Sequence, residues 1–301
     1  MGAGRRAAQV KGIGMTAWTD GYWWSKDGIR LHYRDYAGDA AKPPILCIPG
    51  LTRNARDFEG LAAALAPEWR VICVSLRGRA DSGYARDPMS YVPLVYLQDL
   101  EALIETLGLE RFVAVGTSLG GILTMLLAAT GGGRIAGAVL NDIGPVLDPV
   151  GMARIKGYVG KNNSFPTWLH AARAIAETNG AAFPRFQIGD WVAMAKRLCR
   201  LTPAGRIVFD YDMSIAEPMR VPNEGALDMW PAFAALRSVP LLLVRGALSD
   251  LLSEETAGEM AARAPSLEVV TVPEVGHAPT LDEDEARAGI QRLLGRVLAA
   301  G

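Results

Sequence analysis

The sequence predicts an α/β protein in which a mostly parallel, doubly wound sheet carries an inserted helical cap. Apolar, β-type runs alternate with helical patterns in both halves of the chain, which is typical of a parallel sheet covered by helices on both faces. Residues 145–231 break this alternation over a stretch that is too long for a loop. Residues 116–121 form a glycine-rich turn between a predicted strand and a predicted helix.

The predicted elements follow one another in chain order. Strands are expected at 45–48, 70–75, 112–115, 135–140, 241–244 and 267–272, and helices at 57–66, 92–107 and 254–263. In the helix at 92–107 the apolar residues recur at steps of three and four, and Gly108 is a plausible stop. We therefore expect a core of residues 21–144 and 232–301, a helical cap of residues 145–231, and a flexible extension of residues 1–20.

Ser118 is the candidate nucleophile, because it lies at the centre of the glycine-rich turn. A strand that turns sharply into a helix exposes its central side chain in a strained backbone conformation. Gly116 and Gly120 leave room for such a turn. The free N–H groups at the start of the helix, including that of Leu119, are suited to stabilise a developing oxyanion. Serine is a poor nucleophile by itself, so this interpretation requires a base.

The sequence contains three histidines, and one of them is placed to serve as that base. His277 follows a predicted strand on a loop, and open α/β sheets carry their chemistry at the carboxyl ends of strands. His32 alternates with apolar residues and is expected on the polar face of a strand. His170 lies in the middle insertion, where a surface or pocket-lining position is expected.

A carboxylate is needed to orient the imidazole and to stabilise its charged form. Asp250 is the leading candidate, because it follows the strongly apolar run 241–244. Asp142 is the alternative acid, since it follows the predicted strand at 135–140 and could also be a turn residue that leads into the insertion.

These motifs resemble the α/β-hydrolase superfamily, and more closely its capped serine esterases, lactonases and lipase-like enzymes, over about residues 27–298. The resemblance implies the α/β-hydrolase fold, with the triad in the order Ser118, Asp250, His277. It also implies that the second oxyanion donor is the Leu51 N–H, after a strand that ends in Pro49-Gly50, where the family more often has His-Gly. Residues 75–82 resemble the family's Arg-Gly loop but lack its leading Asp and a later Gly.

The combined interpretation is a cofactor-free serine hydrolase that cleaves a carboxylic ester or lactone through an acyl-enzyme on Ser118. His277 acts as the base, and the Leu51 and Leu119 N–H groups form the oxyanion hole. One alternative is hydrolysis of a carbon–carbon bond in ring-fission diketones, or cofactor-free perhydrolysis, because one fold supports several chemistries. A further alternative is a non-catalytic, ligand-binding homologue.

The substrate pocket is sought among the aromatic residues of the insertion and near the oxyanion turn. Trp168 and Trp191 are candidate lining residues, and Arg53 could meet a carboxylate on the substrate. The aromatic content of the insertion favours a small ester or lactone with an apolar or aromatic acyl group.

Composition limits the class of partner. The formal net charge of −1 provides no basic field for nucleic acid or for an anionic membrane. The three cysteines are scattered, which indicates reduced thiols and a cytoplasmic protein. No apolar signal segment follows Arg5-Arg6, and no membrane insertion is expected. Phosphate-loop, dinucleotide-binding and metal-binding motifs are lacking, and an oligomer is compatible with the sequence.

Overall fold

A computed structural model describes residues 18–161, 163–221 and 228–300. Along these residues the strands are β1 Trp18–Trp24, β2 Arg30–Tyr36, β3 Ile45–Ile48, β4 Val71–Ser75, β5 Phe112–Thr117, β6 Ile135–Asn141, β7 Ser164–Phe165, β8 Cys199–Leu201, β9 Ile207–Phe209, β10 Leu241–Gly246 and β11 Leu267–Val272. The main sheet has the order β1-β2-β4-β3-β5-β6-β10-β11. Its first two pairings, β1 with β2 and β2 with β4, are antiparallel, and the others are parallel.

Helices connect these strands. They are α1 Glu59–Leu65, α2 Pro93–Leu107, α3 Leu119–Thr130, α4 Pro149–Tyr158, α5 Trp168–Asn179, α6 Ile188–Leu198, α7 Glu217–Arg220, α8 Trp230–Ala234, α9 Glu254–Arg263 and α10 Asp284–Ala300. Helix α2 ends as its sequence predicts, because Gly108 adopts a left-handed conformation with φ of 60°. No helix in the described ranges has both the length and the apolar character needed to cross a lipid bilayer.

The sheet is buried on both faces, and this explains why its central strands are almost continuously apolar. In β3, Leu46 and Ile48 belong to the core beneath α2, α3 and α9, whereas Ile45 and Cys47 belong to the core beneath α1 and α10. Successive side chains of a strand point to opposite faces, so one short apolar run supplies both layers. The predicted α/β class and doubly wound sheet are confirmed.

The insertion lies between β6 and β10. It contains α4 to α7 and a small antiparallel sheet of order β7-β9-β8, so it is not purely helical. Helix α8 crosses the predicted boundary at residue 231 and packs against α3. Residues 18–20 belong to β1, and the rest of the predicted extension, residues 1–17, lies outside the described residues. The division into core and cap stays a prediction.

The carboxyl edge of the main sheet positions the polar residues of interest. Strand β5 ends at Thr117 and β6 ends at Asn141, and these two residues are paired in register. Ser118 and Asp142 therefore leave neighbouring strands at adjoining positions. Because β3 lies on the other side of β5, the turn that follows β3 is also next to Ser118.

Candidate active site

Ser118 lies in the sharp turn between β5 and α3, as its motif predicts. Its φ of 52° is in the left-handed region, which is unusual for a residue with a side chain. A Cβ atom at Gly120 would lie 1.9 Å from the Ile48 carbonyl oxygen, and one at Gly116 would lie 2.3 Å from the Gly120 carbonyl oxygen. Both elbow glycines are therefore required by close backbone approach.

His277 connects Ser118 to a buried carboxylate. Its Nε2 atom lies 2.9 Å from Ser118 Oγ, and its Nδ1 atom lies 2.8 Å from Asp142 Oδ2. A carboxylate only accepts hydrogen bonds, so the proton of a neutral imidazole is on Nδ1. Nε2 is then free to accept the hydroxyl proton of Ser118.

The carboxylate of Asp142 is fully buried, and each of its oxygens is satisfied. Oδ1 accepts a hydrogen bond from the Gly246 N–H at 2.8 Å, and Oδ2 accepts one from Ser249 Oγ at 2.6 Å in addition to that from His277. The residue has a φ of 54°, a conformation that aspartate tolerates better than most residues. The last residue of β10 and a residue in the loop after it thus support an acid that follows β6.

The expectation that Asp250 orients His277 is corrected by this geometry. The Asp250 carboxylate accepts hydrogen bonds from Arg154 of α4, at 2.5 Å from Nε and 2.7 Å from Nη2. These bonds hold the pKa of Asp250 below its usual 3.8. Asp250 lies four residues beyond the end of β10, and it faces the insertion, whereas Asp142 directly follows the strand next to β5.

Two free backbone donors lie beside Ser118, at the positions expected for an oxyanion hole. Leu119 is the first residue of α3, so its N–H has no acceptor within the helix. The Leu51 N–H lies in the turn that follows β3. Within the described chain, neither group donates to another protein atom. A Cβ atom at Gly50 would lie 3.6 Å from Ser118 Cβ, so this turn directly adjoins the serine.

Asn141 is a supporting residue that the sequence interpretation missed. Its side-chain nitrogen donates to Thr117 Oγ1 at 3.1 Å and to the Pro279 carbonyl at 2.8 Å. Its backbone carbonyl accepts a hydrogen bond from the Ser118 N–H at 3.0 Å. Asn141 thereby ties the Ser118 turn to the loop that carries His277. The only sequence signal was a polar residue at the end of an apolar strand.

Ser118 and His277 open into a cavity of about 1220 Å³. Arg53 lines this cavity as expected, but its Nε and Nη2 atoms are already bound to Asp57. The cavity wall also contains apolar and aromatic residues from the insertion, among them Ile155, Tyr158, Phe183, Phe209, Tyr211, Met219 and Trp230.

Trp168 and Trp191 are not part of the cavity wall, so their predicted pocket position is wrong. Trp191 is buried and forms edge-on contacts with Phe183 and Phe186. Trp168 packs against the same apolar cluster. Both rings thus contact an apolar cluster that includes Phe183 and Met194 of the insertion.

Comparisons with known proteins bear on the family of this chain. The sequence matches the alpha/beta hydrolase family over residues 45–289. A 3-hydroxybutyrate-oligomer hydrolase of Cupriavidus necator is 36% identical over 260 residues, which cover 83% of this chain and 88% of that protein. The crystal structure of an alpha/beta hydrolase from Novosphingobium aromaticivorans has 58% identity and a TM-score of 0.89, with coverage of 93% of this chain and 98% of that one. A 2-(acetamidomethylene)succinate hydrolase of Mesorhizobium japonicum is 24% identical over 78% of this chain and 81% of that protein. With its elbow serine and parallel sheet, the chain belongs to the α/β hydrolase family.

Proposed function

We propose that this hydrolase cleaves a carboxylic ester through an acyl-enzyme on Ser118. The continuous hydrogen-bond path from Ser118 through His277 to Asp142, which opens into a large cavity, is the observation that carries the proposal. His277 Nε2 takes the hydroxyl proton as Ser118 Oγ attacks the ester carbonyl. The resulting oxyanion accepts hydrogen bonds from the Leu51 and Leu119 N–H groups.

Collapse of the tetrahedral intermediate breaks the bond to the alcohol, which leaves with the proton from His277. A water molecule then gives a proton to His277 and attacks the acyl carbon, and a second collapse releases the acid and restores Ser118. Asp142 keeps the proton of the imidazole on Nδ1 and stabilises the imidazolium that forms twice in each cycle. Asp250 has no direct part in these steps.

The substrate class that we propose is an ester of a short hydroxy acid with a free carboxylate end. Similarity to a 3-hydroxybutyrate-oligomer hydrolase supports an ester bond as the bond that is cleaved and a hydroxy acid as the acyl part of the substrate. The cavity size and its apolar wall are suited to an extended acyl chain. Lys156 and Lys161 also line the cavity and have no ion-pair partner among the residues that the structure describes, so they would attract a carboxylate.

The first test is hydrolysis of p-nitrophenyl esters from acetate to octanoate by the wild type and by Ser118→Ala. We expect the variant to lose about 10⁶-fold in kcat, as in other serine hydrolases without their nucleophile. If the wild type leaves every ester intact while a fluorophosphonate still labels Ser118, the ester proposal fails. Lactones and ring-fission diketones then become the substrates to test.

The second test concerns the carboxylate. We expect Lys156→Gln with Lys161→Gln to raise KM for the 3-hydroxybutyrate trimer and to leave KM for its methyl ester unchanged, because the methyl ester has no charge to attract. Lys42→Gln is the matched control, since Lys42 is paired with Glu68 and does not line the cavity. Equal effects of the double substitution on the two substrates would contradict the carboxylate assignment.

A further inference from the structure

Arg79 is a buried cation that donates two of its hydrogen bonds to the oxyanion turn. Its side chain has no exposed surface, and it forms no ion pair with any carboxylate of the described chain. Nε and Nη2 both donate to the Leu51 carbonyl, at 2.9 and 2.7 Å. Nη1 donates to the Arg77 carbonyl at 2.5 Å and to the Tyr96 hydroxyl at 3.0 Å.

Burial of a charge without a counter-ion is costly, so this arrangement requires strong compensation. The guanidinium receives it from two carbonyl oxygens, one hydroxyl and the ring of Tyr96, whose centroid lies 4.8 Å from Cζ. Arg77, two residues earlier in the same loop, shows the alternative. It is equally buried, but Asp99 and Asp27 neutralise it.

The bound carbonyl belongs to Leu51, the residue whose free N–H is assigned to the oxyanion hole. In the turn, the Gly50 carbonyl accepts a hydrogen bond from the Arg53 N–H at 3.1 Å, which fixes the peptide plane that carries the Leu51 N–H. Arg79 fixes the next peptide plane through the Leu51 carbonyl. Both sides of Leu51 are thus held, while its own N–H stays free for a ligand.

We propose that Arg79 is a positioning residue for the oxyanion hole. Its planar fork holds the Leu51 peptide so that the N–H points to the oxyanion, and its charge, which no carboxylate of the described chain neutralises, adds positive potential behind that donor. This inference rests on the proposed ester hydrolysis. It also gives a role to the Arg-Gly loop of residues 75–82, which the catalytic triad does not use.

The test is Arg79→Lys in the full chain, with Arg134→Lys as the matched control. Arg134 also donates to a backbone carbonyl, that of Gly131, but it lies directly before β6, at the edge of the main sheet opposite the active site. Lysine keeps the charge and loses the fork. We expect kcat/KM for p-nitrophenyl butyrate to fall by about 10- to 100-fold, less than the loss of a whole oxyanion donor. The control should retain kcat/KM.

Butylboronic acid supplies the readout that a merely structural role would not change. Its boron forms a bond to Ser118 Oγ, the hydroxyl proton passes to His277, and the anionic tetrahedral adduct places one of its boron-bound hydroxyl oxygens in the oxyanion hole. Its affinity should fall by the same factor as kcat/KM in Arg79→Lys, while the affinity for butyrate, which forms no adduct, stays unchanged.

The outcomes separate this inference from the proposed function. If the wild type neither hydrolyses the ester nor binds the boronate, the proposed function has failed. If the wild type does both and a folded Arg79→Lys does so equally well, the role of Arg79 is overturned. If Arg79→Lys does not fold, Tyr96→Phe removes one hydrogen bond from Arg79, and a loss of about 2- to 10-fold in both readouts is expected. Unchanged readouts in that variant would also overturn the inference.

Discussion

Replacement of Asp142 by asparagine is the sharpest test of the site, because the surroundings leave the amide one orientation. The Gly246 N–H must keep an acceptor, so the amide oxygen takes the place of Oδ1. The amide nitrogen then faces Ser249 Oγ and His277 Nδ1. It donates to Nδ1, which moves the imidazole proton to Nε2, and Nε2 can no longer accept a proton from Ser118.

The expected loss follows from this reversed tautomer. The corresponding change in serine proteases lowers kcat by about 10⁴-fold, which corresponds to about 5.4 kcal/mol of transition-state stabilisation. The opposite amide orientation would set its NH2 group against the Gly246 N–H, and this repulsion prevents an escape from the wrong tautomer. The assay is kcat/KM for p-nitrophenyl butyrate, with thermal unfolding to verify that the variant is folded.

Asp250→Asn is the matched variant, because the same change is made in the acid that the sequence favoured. Asp250 binds Arg154 and makes no hydrogen bond with His277, so we expect kcat/KM to change by less than about tenfold. If Asp250→Asn is as inactive as Asp142→Asn, or if a folded Asp142→Asn stays within tenfold of the wild type, the assignment drawn from this geometry is refuted.

Two further predictions concern stability. Gly120→Ala should destabilise the fold by about 3 kcal/mol, since its Cβ would lie 1.9 Å from the Ile48 carbonyl oxygen. Gly295→Ala in α10, whose Cβ would meet no atom within 4 Å, should instead stabilise the fold by about 0.5 to 1 kcal/mol. Urea unfolding of both variants measures the two free-energy changes, and equal effects would contradict the contact argument. Asp250→Asn should lower the free energy of unfolding by about 1 kcal/mol at neutral pH, because Arg154 depresses the pKa of Asp250 and the ionised carboxylate therefore stabilises the fold above its unfolded pKa. The difference in stability from the wild type should vanish as the pH falls below 3.8 through the lowered pKa. A difference that persists in acid would be evidence against the ion pair.

Local sequence was sufficient for the features that depend on a few consecutive residues. The alternation of strands and helices predicted the fold class, because a parallel sheet requires crossover helices. The elbow around Ser118 was recognisable because a strained turn needs glycine on both sides, and Gly116 and Gly120 stand within five residues of the sequence. His277 could be selected because it follows the last predicted strand.

Tertiary structure alone decided which residues meet across the sheet. Asp142 and Asp250 both follow apolar strands, and sequence gives no distance from either to His277. The order of strands places β6 directly beside β5, and the Thr117–Asn141 register brings Asp142 to the same edge of the sheet as Ser118. Asp250 instead accepts a hydrogen bond from Arg154 of the insertion. Contacts of this kind depend on strand order and on packing between distant segments, so no local pattern encodes them.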